Sequence, residues 1–150
     1  MPEPSGGHET VDANLLSVTI VTPGGTRADV QARQVRAPGV EGEFGVLPGH
    51  VPFLTALRIG AIILDTDTGK QVWATTGGFA EVLADRVTIL AEHAERSDVI
   101  DIPRAEAARR RALDRLAKHD PESVDMDRAN TALARAINRI RVAGSIRGSS

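Results

Sequence analysis

Val87-Thr88-Ile89-Leu90-Ala91, then Ile100-Asp101-Ile102-Pro103-Arg104-Ala105-Glu106-Ala107-Ala108: across this stretch the chain passes from one structural grammar to another. In the first segment Val87, Ile89 and Ala91 alternate with Thr88 and Leu90, the period of a strand; because Leu90 is itself apolar, the spacing predicts a strand buried on both faces. In the second, Ala and Arg replace the β-branched residues. Asp101 stands where a helix N-cap belongs, and Pro103 falls in the first turn, where a missing N–H costs little. The division therefore lies near residue 98, with a strand-rich part before it and a helical part after it.

Working towards the N-terminus, Leu16, Val18 and Ile20 alternate with Ser17 and Thr19. Further strand candidates lie near 28–36, 44–47, 59–64, 71–75 and 79–84. Between them stand Pro23-Gly24-Gly25, Pro38-Gly39, Pro48-Gly49, Asp67-Thr68-Gly69 and Gly77-Gly78, each read as a tight turn. Many short strands with Gly/Pro turns and no interleaved helix predict two packed antiparallel sheets rather than a parallel nucleotide-binding sheet.

Towards the C-terminus, Ala105, Ala108, Ala112 and Leu116 share one face of a helix beginning at Ile102, and Arg104, Arg109, Arg110, Arg111 and Arg115 cover much of the remainder. His119-Asp120-Pro121-Glu122-Ser123 breaks it. Ser123 or Asp125 can cap a second helix whose stripe is Met126, Ala129, Leu133, Ala136 and Ile140. The expected architecture is thus an N-terminal antiparallel β-sandwich, residues 14–97, followed by an antiparallel helical hairpin, residues 98–142. Residues 1–13 and 143–150 read as flexible tails. A hairpin stripe built mostly of Ala gains only a few kcal/mol at about 25 cal/mol per Å², so it is expected to open or redock readily.

Composition removes several function classes. With one Trp, three Phe and no Tyr, a stacking platform for single-stranded nucleic acid is hard to assemble. The absence of Cys removes disulfides, iron–sulfur clusters and thiolate zinc sites, and fits a reducing compartment. His8, His50, His93 and His119 are scattered singly, without metal-ligand spacing. No apolar run reaches membrane-spanning length and no basic-then-apolar leader opens the chain, so it is expected to be soluble and not exported. The net charge of -2 divides into -6 over residues 1–100 and +4 over residues 101–150. A basic second part points to an acidic protein, a nucleic acid or a phosphate ligand, or simply to a solvated helix surface.

Three segments carry a resemblance: Gly42-Glu43-Phe44-Gly45-Val46-Leu47-Pro48-Gly49-His50, Gly77-Gly78-Phe79-Ala80-Glu81-Val82 and Val87-Thr88-Ile89-Leu90-Ala91. In this order and spacing the chain resembles, from about Leu15 to Val142, the epsilon-subunit family of F-type ATP synthases, called delta in mitochondria. The resemblance implies a non-catalytic rotor subunit whose sandwich binds the gamma subunit and the ring c subunits. Glu43, His50, Gly77 and Gly78 are the implied contacts; turn geometry alone explains Gly42, Gly45, Pro48 and Gly49, and solvation is the alternative for Glu43. It further implies a basic hairpin that meets the catalytic beta and alpha subunits and inhibits ATP hydrolysis. No cofactor is required.

Ile100-Asp101-Ile102-Pro103-Arg104-Ala105 also matches a signature at which some bacterial members bind ATP, so the resemblance implies a regulatory ATP site of Asp101, Arg104, Ala105, Arg135 and Arg139. Pro103 departs from that pattern, and Asp101 as a cap and Arg104 as a surface charge need no ligand. The implied location is the cytoplasmic face of a bacterial plasma membrane, peripheral and held there only through the complex, with the chloroplast thylakoid as the alternative. Two other functions fit the residues less well: a hairpin that binds nucleic acid, opposed by seven interspersed carboxylates, and a small enzyme, for which no Walker loop or nucleophile–base pair is present.

Overall fold

Alternating burial along β1 (Leu16–Thr22) puts Leu16, Val18 and Ile20 in a dry interior, and the rest of the first module is built to meet that face. The computed structural model describes residues 13–118 and 125–145. After β1 come β2 (Gly25–Ala32), β3 (Gln34–Gly39), β4 (Gly42–Val46), β5 (Phe53–Thr66), β6 (Gly69–Val82), β7 (Arg86–Ala91) and β8 (Ala94–Arg96). A 3-10 turn, Ser97–Val99, leads to α1 (Ile102–Ala117) and α2 (Met126–Ser145). The expected fold class, a β-sandwich followed by a helical hairpin, is what the chain adopts.

The strands run β2-β1-β7-β6-β5-β3-β4, with β8 also paired to β6. Folded over, this sheet encloses one core in which Leu16, Val18, Ile20, Val87 and Ile89 meet Val35, Val46, Ile62, Leu64 and Trp73. All pairs are antiparallel except β1 with β7, a departure from the expected wholly antiparallel sandwich. A parallel pair needs a long crossover, and here the intervening strands supply it.

The largest departure concerns Gly77-Gly78. They make no turn; they lie inside β6, so the segments expected at 71–75 and 79–84 are one 14-residue strand, and the expected 59–64 segment is part of the equally long β5. Both glycines have positive φ, +118° and +128°. A Cβ on Gly78 would run into the Leu90 carbonyl. The backbone there bends so that β6 pairs with β7 through residues 78–82 and with β8 through residues 73–75, serving both layers.

Other differences are smaller. Pro38-Gly39 ends β3 as paired strand, and the reversal falls at residues 40–41. Leu90 is 53% exposed, so β7 is buried on one face only. β8 and the 3-10 turn carried no strand or helix signal, being short and polar. Asp101 caps α1 as expected, its Oδ1 accepting from Arg104 N at 3.1 Å; Asp125 does the same for α2 through Arg128 N, also at 3.1 Å. α2 continues to Ser145 with Ala143 buried, three residues past the expected end at 142. The expected helix break at His119–Ser123, the N-terminal tail through residue 12 and the last five residues lie outside the described residues.

Gly78→Ala is expected to lower stability by roughly 2–5 kcal/mol, from backbone strain plus the clash with β7. Gly45→Ala, at an exposed site with ordinary φ and nothing nearer than Gln34 Nε2 at 3.4 Å, should stay within about 0.5 kcal/mol. Urea unfolding of the two variants checks the contrast.

Candidate functional site

The hairpin meets the sandwich along a thin seam. Most of it is made by α2 against β5, β6 and the 3-10 turn, with Ile102 at the start of α1 joining its apolar cluster, while the rest of α1 packs on α2. Val142, Ala143 and Ile100 join Ala74, Ala61 and Val72 in a small apolar cluster separate from the main core. The expected stripes are inward as read: Ala105, Ala112, Ala129 and Ala136 are buried and Leu116, Leu133 and Ile140 half-buried. A second buried face of α2, Asn138, Val142 and Ala143, turns towards the sandwich and was not anticipated.

Beside this seam opens a cleft of about 440 Å³, lined by Thr76, His93 and Glu95 from the sandwich, Arg104 and Ala108 from α1, and Ala132, Arg135, Ala136 and Arg139 from α2. It gathers three of the five residues expected at an ATP site. Arg135 and Arg139, one turn apart, do face it together, and Arg104 joins them across the hairpin. Arg139 is already engaged: its Nη2 donates to Glu95 Oε2 at 3.1 Å and its Nε lies 2.9 Å from Oε1. The other two expected residues do not line the cleft. Asp101 is held at the helix cap, and Ala105 is fully buried in the packing of α1.

Glu95 was missed because it lies in β8, which gave no signal. It is held there by pairing of Ala74 with Glu95 in the β6–β8 ladder. Just beyond, Arg96 Nε and Nη2 donate to Asp98 Oδ1 and Oδ2 at 2.6 and 2.8 Å, and this guanidinium holds the exposed Asp98 carboxyl below its usual range. Three guanidinium groups against one carboxylate give the cleft a net positive lining, and the planar forks of Arg are of a shape that suits phosphate oxygens.

A second surface lies on the outer face of the sandwich. Register places Ala56, Phe79, Leu90 and Val21 side by side across β5, β6, β7 and β1. Phe79 and Leu90 are 55% and 53% exposed and, with Leu57, Pro23 and Gly78, line an apolar groove of about 620 Å³. Gly77 and Gly78, expected as contacts, turn Phe79 outward by their bend. Glu43 is exposed on β4 with Arg36 Nη1 3.8 Å away. His50 leans on Phe53 at 5.2 Å, and Phe53 in turn meets Phe44 edge-on at 5.1 Å, which ties the His50 loop to the strand carrying Glu43.

Comparison with known proteins gives a consistent picture. Residues 15–97 match the family model described as the β-sandwich domain of the ATP synthase delta/epsilon chain, and residues 98–144 match its long α-helix domain. A Nitratidesulfovibrio vulgaris (strain DP4) protein named ATP synthase epsilon chain is 49% identical over 130 residues, 87% of this chain and 96% of its own length. A Bacillus licheniformis protein of the same name is 48% identical over 128 residues, covering 85% and 97%. A chain in a cryo-EM structure of the Euglena gracilis mitochondrial ATP synthase (OSCP/F1/c-ring) shares the fold, with a TM-score of 0.71 at 24% identity over 96% of this chain and 89% of that one.

Arg135→Ala should weaken binding of inorganic tripolyphosphate by about tenfold or more, as loss of one charge-assisted contact requires. Arg109→Ala, whose guanidinium pairs with Glu106 at 3.1 Å and is not among the cleft residues, should leave it unchanged. Isothermal titration of both variants checks this.

Proposed function

Because the chain belongs to the ATP synthase delta/epsilon family, we propose that it works as the epsilon-type subunit of the central stalk, a non-catalytic part of the rotor. The sandwich fastens the gamma subunit to the ring of c subunits, so that torque passes between ion flow and the catalytic head. This reading rests on the row Ala56, Phe79, Leu90 and Val21, in which Phe79 and Leu90 are exposed and Ala56 and Val21 half-buried, an apolar patch on a sheet. Exposed patches of this kind mark protein contacts. The gamma subunit takes this row, and the ring c subunits meet the loop end bearing Glu43 and His50. Position in the cell follows from the complex: the subunit is peripheral to the membrane, on the side of the catalytic head.

The hairpin adds regulation. Its Arg-rich helices suit acidic segments of the catalytic beta and alpha subunits, where an extended hairpin inhibits ATP hydrolysis. ATP is the polyanion for the cleft, with Arg104, Arg135 and Arg139 on its phosphates, while Glu95 must yield part of its hold on Arg139. Since the cleft walls come from both modules, ATP binds the docked hairpin better than the extended one and shifts the population towards it. Asp101 and Ala105 act on this site through helix placement.

Phe79→Glu tests the central part. Placing a charge at the middle of the row should cost about 2–4 kcal/mol of binding to purified gamma subunit, read by titration calorimetry with the sandwich still folded. Unchanged affinity would remove the row as the gamma surface.

A further inference from the structure

Asn138 is a polar residue buried on a face of α2 otherwise made of small apolar groups; it is 6% exposed. Its Nδ2 donates to the Gly60 carbonyl at 2.8 Å and reaches the Thr75 carbonyl at 3.5 Å. Gly60 and Thr75 are cross-strand partners in the β5–β6 ladder, so one side chain of the hairpin addresses one rung of the sandwich.

The rung is shaped for it from the other side. The β3–β5 ladder pairs Arg36 with Ile63 and Gly39 with Leu57, leaving residues 37 and 38 out of register with β5. Pro38 has no N–H to offer, and it sits so close that a Cβ on Gly60 would lie 2.6 Å from its own Cβ. A glycine under a proline thus leaves a backbone carbonyl turned towards the helix in place of a continuous ladder.

From this we propose that the Pro38–Gly60 notch is a register key for the hairpin: the sandwich selects one docked position of α2 by offering carbonyls that Asn138 alone can satisfy. The seam offers little else to fix the register, because beside Asn138 the buried α2 residues on it are Val142 and Ala143, whose apolar contacts are not directional. A shift brings Ala134 or Val142 to the notch, and neither donates a hydrogen bond. Each wrong register therefore leaves the Asn138 amide and the Gly60 carbonyl unpaired in a dry interface, a penalty that a lone buried Asn is known to impose on helix packing. The key matters beyond packing, because the arginine cleft is assembled only in the right register: Arg139 meets Glu95 one residue along from Asn138. Docking by this key is independent of any ligand for that cleft.

Asn138→Leu keeps the size and removes the donor. In the full chain, amide hydrogen exchange over residues 126–145 should accelerate roughly tenfold or more, with β1 and β7 protection unchanged. The absence of Cys allows spin labels at Lys70→Cys and Asn130→Cys alone. Their distance distribution should be a single peak with Asn138, and in the Leu variant broadened or split by about 5 Å, one helical turn. Gly60→Ala, which disturbs the notch from the sheet side, should act in the same direction. Wild-type exchange together with an unchanged single distance in Asn138→Leu would overturn the proposal.

Discussion

The bend at Gly77-Gly78 is the constraint on which the rest of the molecule depends. Positive φ at two successive residues, with the Leu90 carbonyl filling the space of an absent Cβ, lets β6 pass from one layer to the other without ending. The sandwich closes because of it. The same bend aims Phe79 outward beside Leu90, creating the apolar row, and sets Ala74, Thr75 and Thr76 beneath the hairpin, where they floor the seam and the cleft. One backbone feature thus couples the side of the sheet that carries the apolar row to the side on which the hairpin docks.

The two modules differ in how firmly they are held. The sandwich core contains fully buried Leu, Ile and Val from most strands, whereas among the described residues the hairpin rests on a small apolar cluster, the Arg139–Glu95 ion pair and the Asn138 amide. At about 25 cal/mol per Å², the seam contributes far less than the core, and the Arg139–Glu95 pair, partly exposed, adds little net energy. Such an interface is specific without being strong. That combination suits a switch, because a polyanion with modest preference for the docked form can move the population.

Much of this was legible in the residues. Alternation at Leu16–Ile20 and Val87–Ala91, the cap at Asp101 and the alanine stripes each follow from a local rule, so strand, helix start and hairpin face could all be read directly. The misreadings share a cause: they concern long-range neighbours. Gly77-Gly78 looks like any turn until Leu90 is known to lie against it, and Leu90 looks buried until the face it occupies is known. Glu95 and Asn138 were invisible for the same reason. A carboxylate in a three-residue edge strand and an amide in a mid-helix position acquire their roles only from Arg139 and from the Pro38–Gly60 notch.

A sandwich that couples two partners through two distinct surfaces should be seen as such by cross-linking in the assembled ATP synthase. The chain lacks Cys, so a single cysteine can be placed at Glu43→Cys or at Phe79→Cys and treated with a short heterobifunctional reagent whose second arm is photoreactive. Position 43 is expected to join a ring c subunit and position 79 the gamma subunit. If neither position cross-links to a rotor subunit in an enzyme that retains coupled activity, the sandwich is not the coupling piece between gamma and the ring.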